Sequence, residues 1–384
     1  MLGGRAIVIG GGIGGLSMAL ALQRRGMAVS VYERARELRE IGAGIIMQPN
    51  GRKGLVDLGV DEAVAGVSCA MTMLHACHWA TGEVLSAVPN TVIAERYGLP
   101  SLAVHRADLH SVLLAAVRAN DPGAVHAAHE FVALEQDDDG VTVRFANGAT
   151  ERGEIVIGAD GNGSAVRSFV FPGEPARFNG QVAFRAVLPI ELVPDIVRER
   201  ELAMHRGPQR YLLHYPLRRG TLMNLIGCGT TEGWEAEGWS IPATNGQFLA
   251  AYGDFAPHLC ELIRAVPHGE LFKWGLYDRA PLGSWTSGRV AMLGDAAHPM
   301  TPFLGQGAAM AVEDAVVLAR ALERAGNVAA AFAAYEAARV ERGNNVARWS
   351  LEEGRALQDP TIPNKGAAGY GLLDYDPVAV AVAV

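Results

Sequence analysis

The sequence holds four cysteines, Cys69, Cys77, Cys228 and Cys260, and none of them stands at C-x-x-C spacing. That scatter provides neither a disulfide framework nor a zinc knuckle. Cys69, His75, Cys77 and His78 crowd together, but on a strand His75 and Cys77 share one face while His78 takes the other, so no metal is expected. No apolar run reaches membrane-spanning length, which removes a membrane role from the expectations. The opening residues lack a charged, apolar, small-residue signal because the chain enters a strand almost at once, and a cytoplasmic protein is expected. Basic residues are not in excess, and a net charge of −8 leaves no footprint for nucleic acid. No internal repeat recurs. What is present is the 49% hydrophobic, 19% charged composition of a soluble globular protein. At 384 residues the chain is long for one core, and two domains interleaved in sequence are expected.

The most informative stretch is Arg5 to Arg34. Ala6 to Ile9 is a short, partly β-branched apolar run stopped by glycine, which reads as a buried parallel strand. Gly10, Gly12 and Gly15 then form G-x-G-x-x-G around Ile13 and Gly14. Leu16 to Arg25 carries helical spacing with Gly26 as a stop, and Ala28 to Tyr32 reads as a second strand. Gly10 permits the tight turn, Gly12 lets the backbone approach a pyrophosphate, and Gly15 lets helix pack on strand. Glu33 ends the second strand where a carboxylate accepts both ribose hydroxyls and disfavours a 2′-phosphate. FAD or NAD is therefore expected there rather than NADP. A ligand-free glycine turn is the alternative, which strand, glycines, helix, strand and acid in this order oppose.

Further along, Arg39 to Asn50 is glycine-rich and apolar, suited to a loop laid against a flat ligand, and a helix runs from Asn50 to about Leu58. Val67 to Val88 alternates loosely, as strands of the second domain would. Tyr97 to His110 passes through a strand into a helix whose N-cap is sought at Asp108 or near Arg106. Phe131 to Leu134, Gly140 to Phe145 and Ile155 to Ile157 read as strands, with Asn147-Gly148 as a hairpin turn. The last runs into GADGNGSAVR, where Asp160 and Gly161 end a strand at the kind of turn that gathers ligands in open α/β sheets. Phe178 to Pro216 is strand-rich and suits a separate sheet. In RVAMLGDAAHPMTPFLGQGAAMAVEDA, a buried strand ends at Gly294-Asp295 and prolines keep the next loop out of helix. Gly305-Gln306-Gly307 then opens a long helix whose N–H groups point above that loop. Glu313 and Asp314 read as ordinary helix carboxylates rather than as catalysts. A helix over Val328 to Ala356 offers Glu336 and Arg339 as an i,i+3 pair; the tail beyond it has no assigned work.

Taken together, GGGIGG with Glu33, the HRADLH segment, GADGNGSAVR and LGDAAHPMTPFLGQGAAMAVEDA resemble the single-component flavoprotein aromatic hydroxylases, the group typified by the 4-hydroxybenzoate, salicylate, 3-hydroxybenzoate and 6-hydroxynicotinate monooxygenases. The resemblance spans Arg5 to about Leu357. It implies an α/β fold of the 4-hydroxybenzoate hydroxylase kind: a Rossmann-type FAD-binding domain (1–70, 98–178, 280–357) interleaved with a smaller β-sheet substrate domain (71–97, 179–279), then C-terminal helices and a tail (358–384). It implies that Gly10, Gly12, Ile13, Gly14, Gly15, Glu33 and Arg34 hold the adenosine end of FAD, that Gly44 and Ile45 lie along it, and that Arg106 contacts the flavin nucleotide. Asp160 and Arg167 keep the middle motif shaped for the pyrophosphate and a visiting NADH or NADPH. Gly294 and Asp295 serve the ribityl chain, and Pro302 with Gly305, Gln306, Gly307 and Ala308 serves the flavin ring.

The chemistry so implied is hydride transfer from NAD(P)H, addition of O2 to give a C4a-hydroperoxyflavin, and attack on its distal oxygen by a phenolic or hydroxypyridine ring. On YLLHYPL, alternation sets Tyr211, Leu213 and Tyr215 on one face and Leu212 and His214 on the other. Tyr215 is either a ring contact or a packed core tyrosine, and His214 reads as a structural histidine. Arg185 either holds a substrate carboxylate or bridges the domains. Ile46 stands where the hydroxynicotinate enzyme has histidine, Tyr211 where two relatives have histidine, and Thr301-Pro302 where the 3-hydroxybenzoate enzyme has glutamine. A more apolar pocket lined by Ile46, Leu213, Tyr215, Pro302 and Phe303 is therefore expected, in a monomer or homodimer acting on a small aromatic substrate. A flavin oxidoreductase that never oxygenates, separable by labelled O2, and a nucleotide-binding regulatory protein with a lapsed site, separable by flavin turnover, are the rival readings.

Overall fold

Four short strands with every residue buried form the middle of the first layer: Ala6–Ile9, Val29–Tyr32, Ile155–Gly158 and Val290–Met292. Apolar on both faces, they need cover on both, which is the condition of a parallel sheet. Ala6–Ile9 lies in the centre, parallel to Val29–Tyr32 on one side and Ile155–Gly158 on the other. Val290–Met292 adds beyond Ile155–Gly158 in parallel, and Val125–His126 and Thr286–Ser287 close the six-stranded order. The computed structural model describes residues 3–38, 43–231, 241–359 and 361–383, so the first part of the glycine-rich loop, residues 39–42, lies outside the described residues.

The helix after the first strand is Ile13–Gln23, starting three residues earlier than its apolar spacing suggested, with Gly12 as N-cap. It takes Gly14 and Gly15 into its first turn because the fold needs close approach there: a Cβ on Gly15 would stand 1.9 Å from Gly10 O, and one on Gly14 2.9 Å from a Leu293 methyl. Nearly all of the helix is buried, as suits a helix enclosed on all sides; it packs with Arg106–Asn120 and Gly307–Arg324. His105, next to Arg106, is the N-cap of Arg106–Asn120, so the cap lies near Arg106 and not at Asp108. Asp108 instead stands in the first turn and takes two hydrogen bonds of 2.8 Å from Arg218.

The second layer is an eight-stranded sheet whose core strand, Arg177–Pro189, pairs antiparallel with Leu222–Thr230 and Leu271–Asp278. Arg210–Leu217 joins Leu222–Thr230 with Tyr215 opposite Asn224 and Tyr211 opposite Cys228. Leu202–Gly207, Met73–His78 and Val84–Pro89 complete that side, so the chain stretch near residue 80 is built into a sheet otherwise made from residues 177–278. Period-two alternation separates its faces. Ala186, Leu188, Leu212 and Leu225 meet Phe248, Tyr252 and Leu259 of the covering helices, while Ala183 and Tyr211 pack with Phe303 on the opposite face. A small sheet of Gly44–Met47, Leu102–His105 and Cys69–Ala70 lies between the layers.

Two carboxylates of the helix Gly307–Arg324 belong to a buried ion-pair cluster. Glu313 and Asp314 have fully buried side chains and flank Arg339 of the next helix, Val328–Gln358, at 2.7 Å each. Arg339 consequently forms no i,i+3 pair with Glu336, whose carboxylate accepts from Ser284 Oγ and from the backbone N–H of Trp285 and Thr286.

Candidate active site

The glycine turn is held from below by sterics. Gly10 has φ of +108°, and a Cβ there would stand 2.5 Å from Ala159 O, so only glycine fits both the backbone and the neighbouring strand end. The helix that follows has no side-chain cap, which leaves its first N–H groups for an anion. Glu33 curls over the turn: Oε2 accepts from Gly11 N–H at 2.7 Å and Oε1 from Ala35 N–H at 2.8 Å. Each oxygen keeps a further acceptor site for a ribose hydroxyl. His110, the last residue of the HRADLH segment, fastens the same turn from the adjoining helix through Nε2 and Gly11 O at 2.8 Å.

Ser164 is the N-cap of the helix Ala165–Val170, and Asp160 supports it, accepting from Ser164 Oγ at 2.5 Å and from Ala165 and Val166 N–H. Burial raises its pKa, against the pull of those hydrogen bonds. Arg167 donates to the carbonyls of Ala296 and Ala297 at 3.3 and 3.0 Å and to Ala280 at 3.0 Å, so it braces the loop after Asp295. Burial, with Arg279 nearby, lowers it to about 10. Burial likewise raises Asp295, against His298 and Arg106. Gly294 and Gly305, at φ of +57° and +64°, form the bends at either end of the proline loop. Gln306 follows as N-cap of Gly307–Arg324, and Pro302 opens a 3-10 turn within the loop.

A cavity of about 580 Å³ joins the two layers. Gly10, Gly12, Glu33, Arg34, Arg106, Asp160 and Asp295 line it on one side, and Arg185, Phe272 and Trp274 on the other. Ile13, Gly14, Gly15, Gly44, Ile45, Arg167, Gly294, Pro302 and residues 305–308 are not part of that lining. Gly44 is the hinge between the layers: its N–H donates to Asn224 Oδ1 at 2.9 Å and its carbonyl accepts from Arg185 Nη2 at 2.8 Å. The Arg185 guanidinium also lies 5.4 Å over the Trp274 ring, so of the two readings of Arg185 the bridge between layers is the contact made. It faces the cavity as well, and burial depresses its pKa while Tyr215 opposes that.

Tyr211 and Tyr215 are both buried and on the face that alternation assigns. Tyr211 meets Phe303 edge-on at 6.1 Å. Tyr215 packs with Leu217 and Met71, against Ile46 and Leu213. Of the side chains expected as an apolar pocket, Ile46 and Tyr215 join one packed cluster and Phe303 an adjoining one, Leu213 touches both, and Pro302 is exposed and belongs to neither. Burial pushes the Tyr215 phenol up to about 12, against Arg185. His214 is on the other face, with Nε2 3.3 Å from His205 Nε2 and Nδ1 3.1 Å from Glu201 O; it is a packed structural histidine. Among the described residues no group of His, Cys, Asp and Glu has the makings of a metal site, and no helix is long and apolar enough to cross a membrane.

Known proteins share this arrangement. The family model described as FAD binding domain matches residues 5–350. The 3-amino-4-hydroxybenzoate 2-monooxygenase PtmB3 of Streptomyces platensis is 36% identical over 363 residues, which are 94% of this chain and 90% of that protein. A 3-hydroxybenzoate 6-hydroxylase of Polaromonas naphthalenivorans is 36% identical over 352 residues, 91% of this chain and 87% of its own. Among solved structures, Klebsiella pneumoniae HpxO complexed with FAD and uric acid superposes with a TM-score of 0.85 at 28% identity, over 96% of each chain. The chain belongs to the FAD binding domain family, among its single-component flavoprotein monooxygenases.

Proposed function

We propose that the chain hydroxylates a small aromatic or heteroaromatic ring already bearing a hydroxyl, a phenol or hydroxypyridine, with NADH or NADPH as reductant and O2 as oxygen source. The observation that carries this reading is a continuous cavity that runs from the glycine turn and Glu33 to Arg185 and Trp274. The residues fit FAD: a glycine cradle that a Cβ would fill, uncapped helix N–H groups and a carboxylate with free acceptor sites. Once bound, FAD supplies hydride acceptance and oxygen activation, which no side chain here can supply.

In this reading residues 1–70, 98–178 and 280–357 carry the cofactor and 71–97 and 179–279 the substrate. Gly10, Gly12, Ile13, Gly14, Gly15, Glu33 and Arg34 take the adenosine diphosphate end. Arg106 takes the phosphates, with Asp160 and Arg167 shaping the turn beside them. Asp295 takes the ribityl hydroxyls, and the N–H groups from Gly305 to Ala308 face the ring, with Gly44, Ile45 and Pro302 against it. Arg185 is the group that meets the substrate. Tyr215, held protonated at neutral pH by burial, serves as donor and not as base, so the fixed cation of Arg185 favours ionisation of the substrate hydroxyl and makes the ring electron-rich. Tyr211 and Phe303 close the apolar side and keep water out. The protein works in the cytoplasm as a monomer or homodimer.

The test is a panel of phenolic acids and hydroxypyridines added to the purified protein with NADH and NADPH under ¹⁸O2. Stimulated oxidation of the nicotinamide with label in the product is expected. A panel that stimulates nothing, or a product without label, ends the reading.

A further inference from the structure

The segment from Thr361 to Ala383 has no place in the chemistry above, yet it is docked on the reverse side of the loop that the chemistry needs. That loop, residues 294–306, is tied at both ends to one buried charge cluster. At its start, Asp314 accepts from Gly294 N–H at 2.9 Å and from His298 Nε2 at 2.5 Å. At its end, Gln306 Oε1 accepts from Asn50 Nδ2 at 2.7 Å, and the same amide reaches Glu313 Oε1 at 2.7 Å. Arg339 joins the two ties by pairing with both carboxylates, and Arg342 adds a two-point pair to Glu313.

The tail lies over this cluster. The Tyr375 ring stands 3.8 Å from the Arg342 guanidinium and 5.1 Å from that of Arg339. It is held in place through its backbone: Lys53 Nζ donates to the carbonyls of Leu373, Asp374 and Tyr375, and Arg320 Nη1 to Pro377 O at 2.6 Å. Ion pairs weaken severalfold when water enters beside them, and an aromatic face over a desolvated guanidinium both excludes water and adds attraction. We propose that the tail is a plug, with Tyr375 as a positioning residue that keeps the Arg339 cluster dry and thereby holds both ends of the flavin loop in their binding geometry. The inference rests on the reading that FAD lies along that loop.

The plug acts through the ring face, so phenylalanine replaces tyrosine without loss and an aliphatic side chain does not. The experiment loads full-length protein with FAD, dilutes it and follows release by the recovery of flavin fluorescence, with the visible flavin band of the bound form as a second signal. Tyr375→Leu is expected to release FAD about tenfold faster, the equivalent of one lost cation–π contact in a partly desolvated site, with an altered visible band and an unchanged far-ultraviolet dichroism. Tyr375→Phe should match the unsubstituted chain, as should Val378→Ala at an exposed tail position. Release from Tyr375→Leu at the parent rate overturns the inference, and so does equal acceleration in Tyr375→Phe. If Tyr375→Leu does not fold, Tyr375→Met takes its place with the same two outcomes. A parent chain that takes up no FAD would instead end the reading of the function, and this inference with it.

Discussion

Gly44 sits where three demands meet. Its N–H and carbonyl are held by Asn224 and Arg185, and the space above its Cα is filled by Tyr215: a Cβ would stand 2.5 Å from Tyr215 Cε2 and 2.7 Å from its hydroxyl. Neither neighbour is a flexible tip, since Tyr215 is enclosed by Leu217 and Met71. Gly44→Ala must therefore move the tyrosine or the strand, at a cost of about 1–3 kcal/mol by analogy with overpacked cores. Because Arg185 hangs on the Gly44 carbonyl, KM for the aromatic substrate should rise more than stability falls. Steady-state kinetics beside a denaturant titration checks this. Unchanged KM in a destabilised protein would show that Arg185 is not held by Gly44.

At the scale of elements, the strands Leu202–Gly207 and Arg210–Leu217 bring His205 and His214 face to face inside the second sheet, with ring centroids 5.4 Å apart and His258 as a third ring. Burial, more than the neighbouring histidines and Arg200, lowers His205 to about 2. Burial lowers His214 to about 3, against the Glu201 carbonyl, with His258, Arg200 and His75 lowering it further. Unfolded, each titrates near 6.5. Between those values the unfolded chain binds protons that the folded chain does not, so stability is complete above about pH 6.5 and is lost as the pH falls. Each histidine contributes a slope of roughly 1.4 kcal/mol per pH unit in that window. Urea midpoints measured from pH 7.5 to 4.5 should fall accordingly, and His214→Phe should flatten the slope. An unaltered slope in that variant would place the titration elsewhere. Alternation alone put His214 away from the site, but its partner was invisible in the sequence because pairing of Ala203 with His214 depends on a hairpin whose register no local signal gives. The same holds for Asn224 opposite Tyr215. The burial of Glu313 and Asp314 is hidden in the sequence for a related reason: helical periodicity does not turn adjacent positions towards one neighbour, and Arg339 lies between them while Asn50 and Arg342 pair with Glu313 and His298 with Asp314.

For the whole molecule, the motifs of local geometry were legible, since a strand, a glycine turn and a helix explain themselves within thirty residues, whereas the ties between layers join residues far apart in the chain. Those ties decide how the protein unfolds. Gly44 reaches Asn224 and Arg185. Gln209 N–H donates to Gln358 O at 2.6 Å, and Arg206 reaches the carbonyls of Ala356, Asp359 and Ile362. The second sheet is thus fastened both to the small sheet beside the cavity and to the end of the last long helix. Two layers joined only by a linker melt separately, while layers that share buried polar ties lose them together. Scanning calorimetry of the protein should therefore show one transition, with calorimetric and van't Hoff enthalpies in agreement. Added FAD should move that whole transition upward without splitting it, because a ligand in a cavity walled by both layers stabilises only the state in which both are folded. A second transition that stays in place when FAD is added would mean that the sheet carrying Arg185 folds without regard to the cofactor layer, and that Arg185 is not held in place by it.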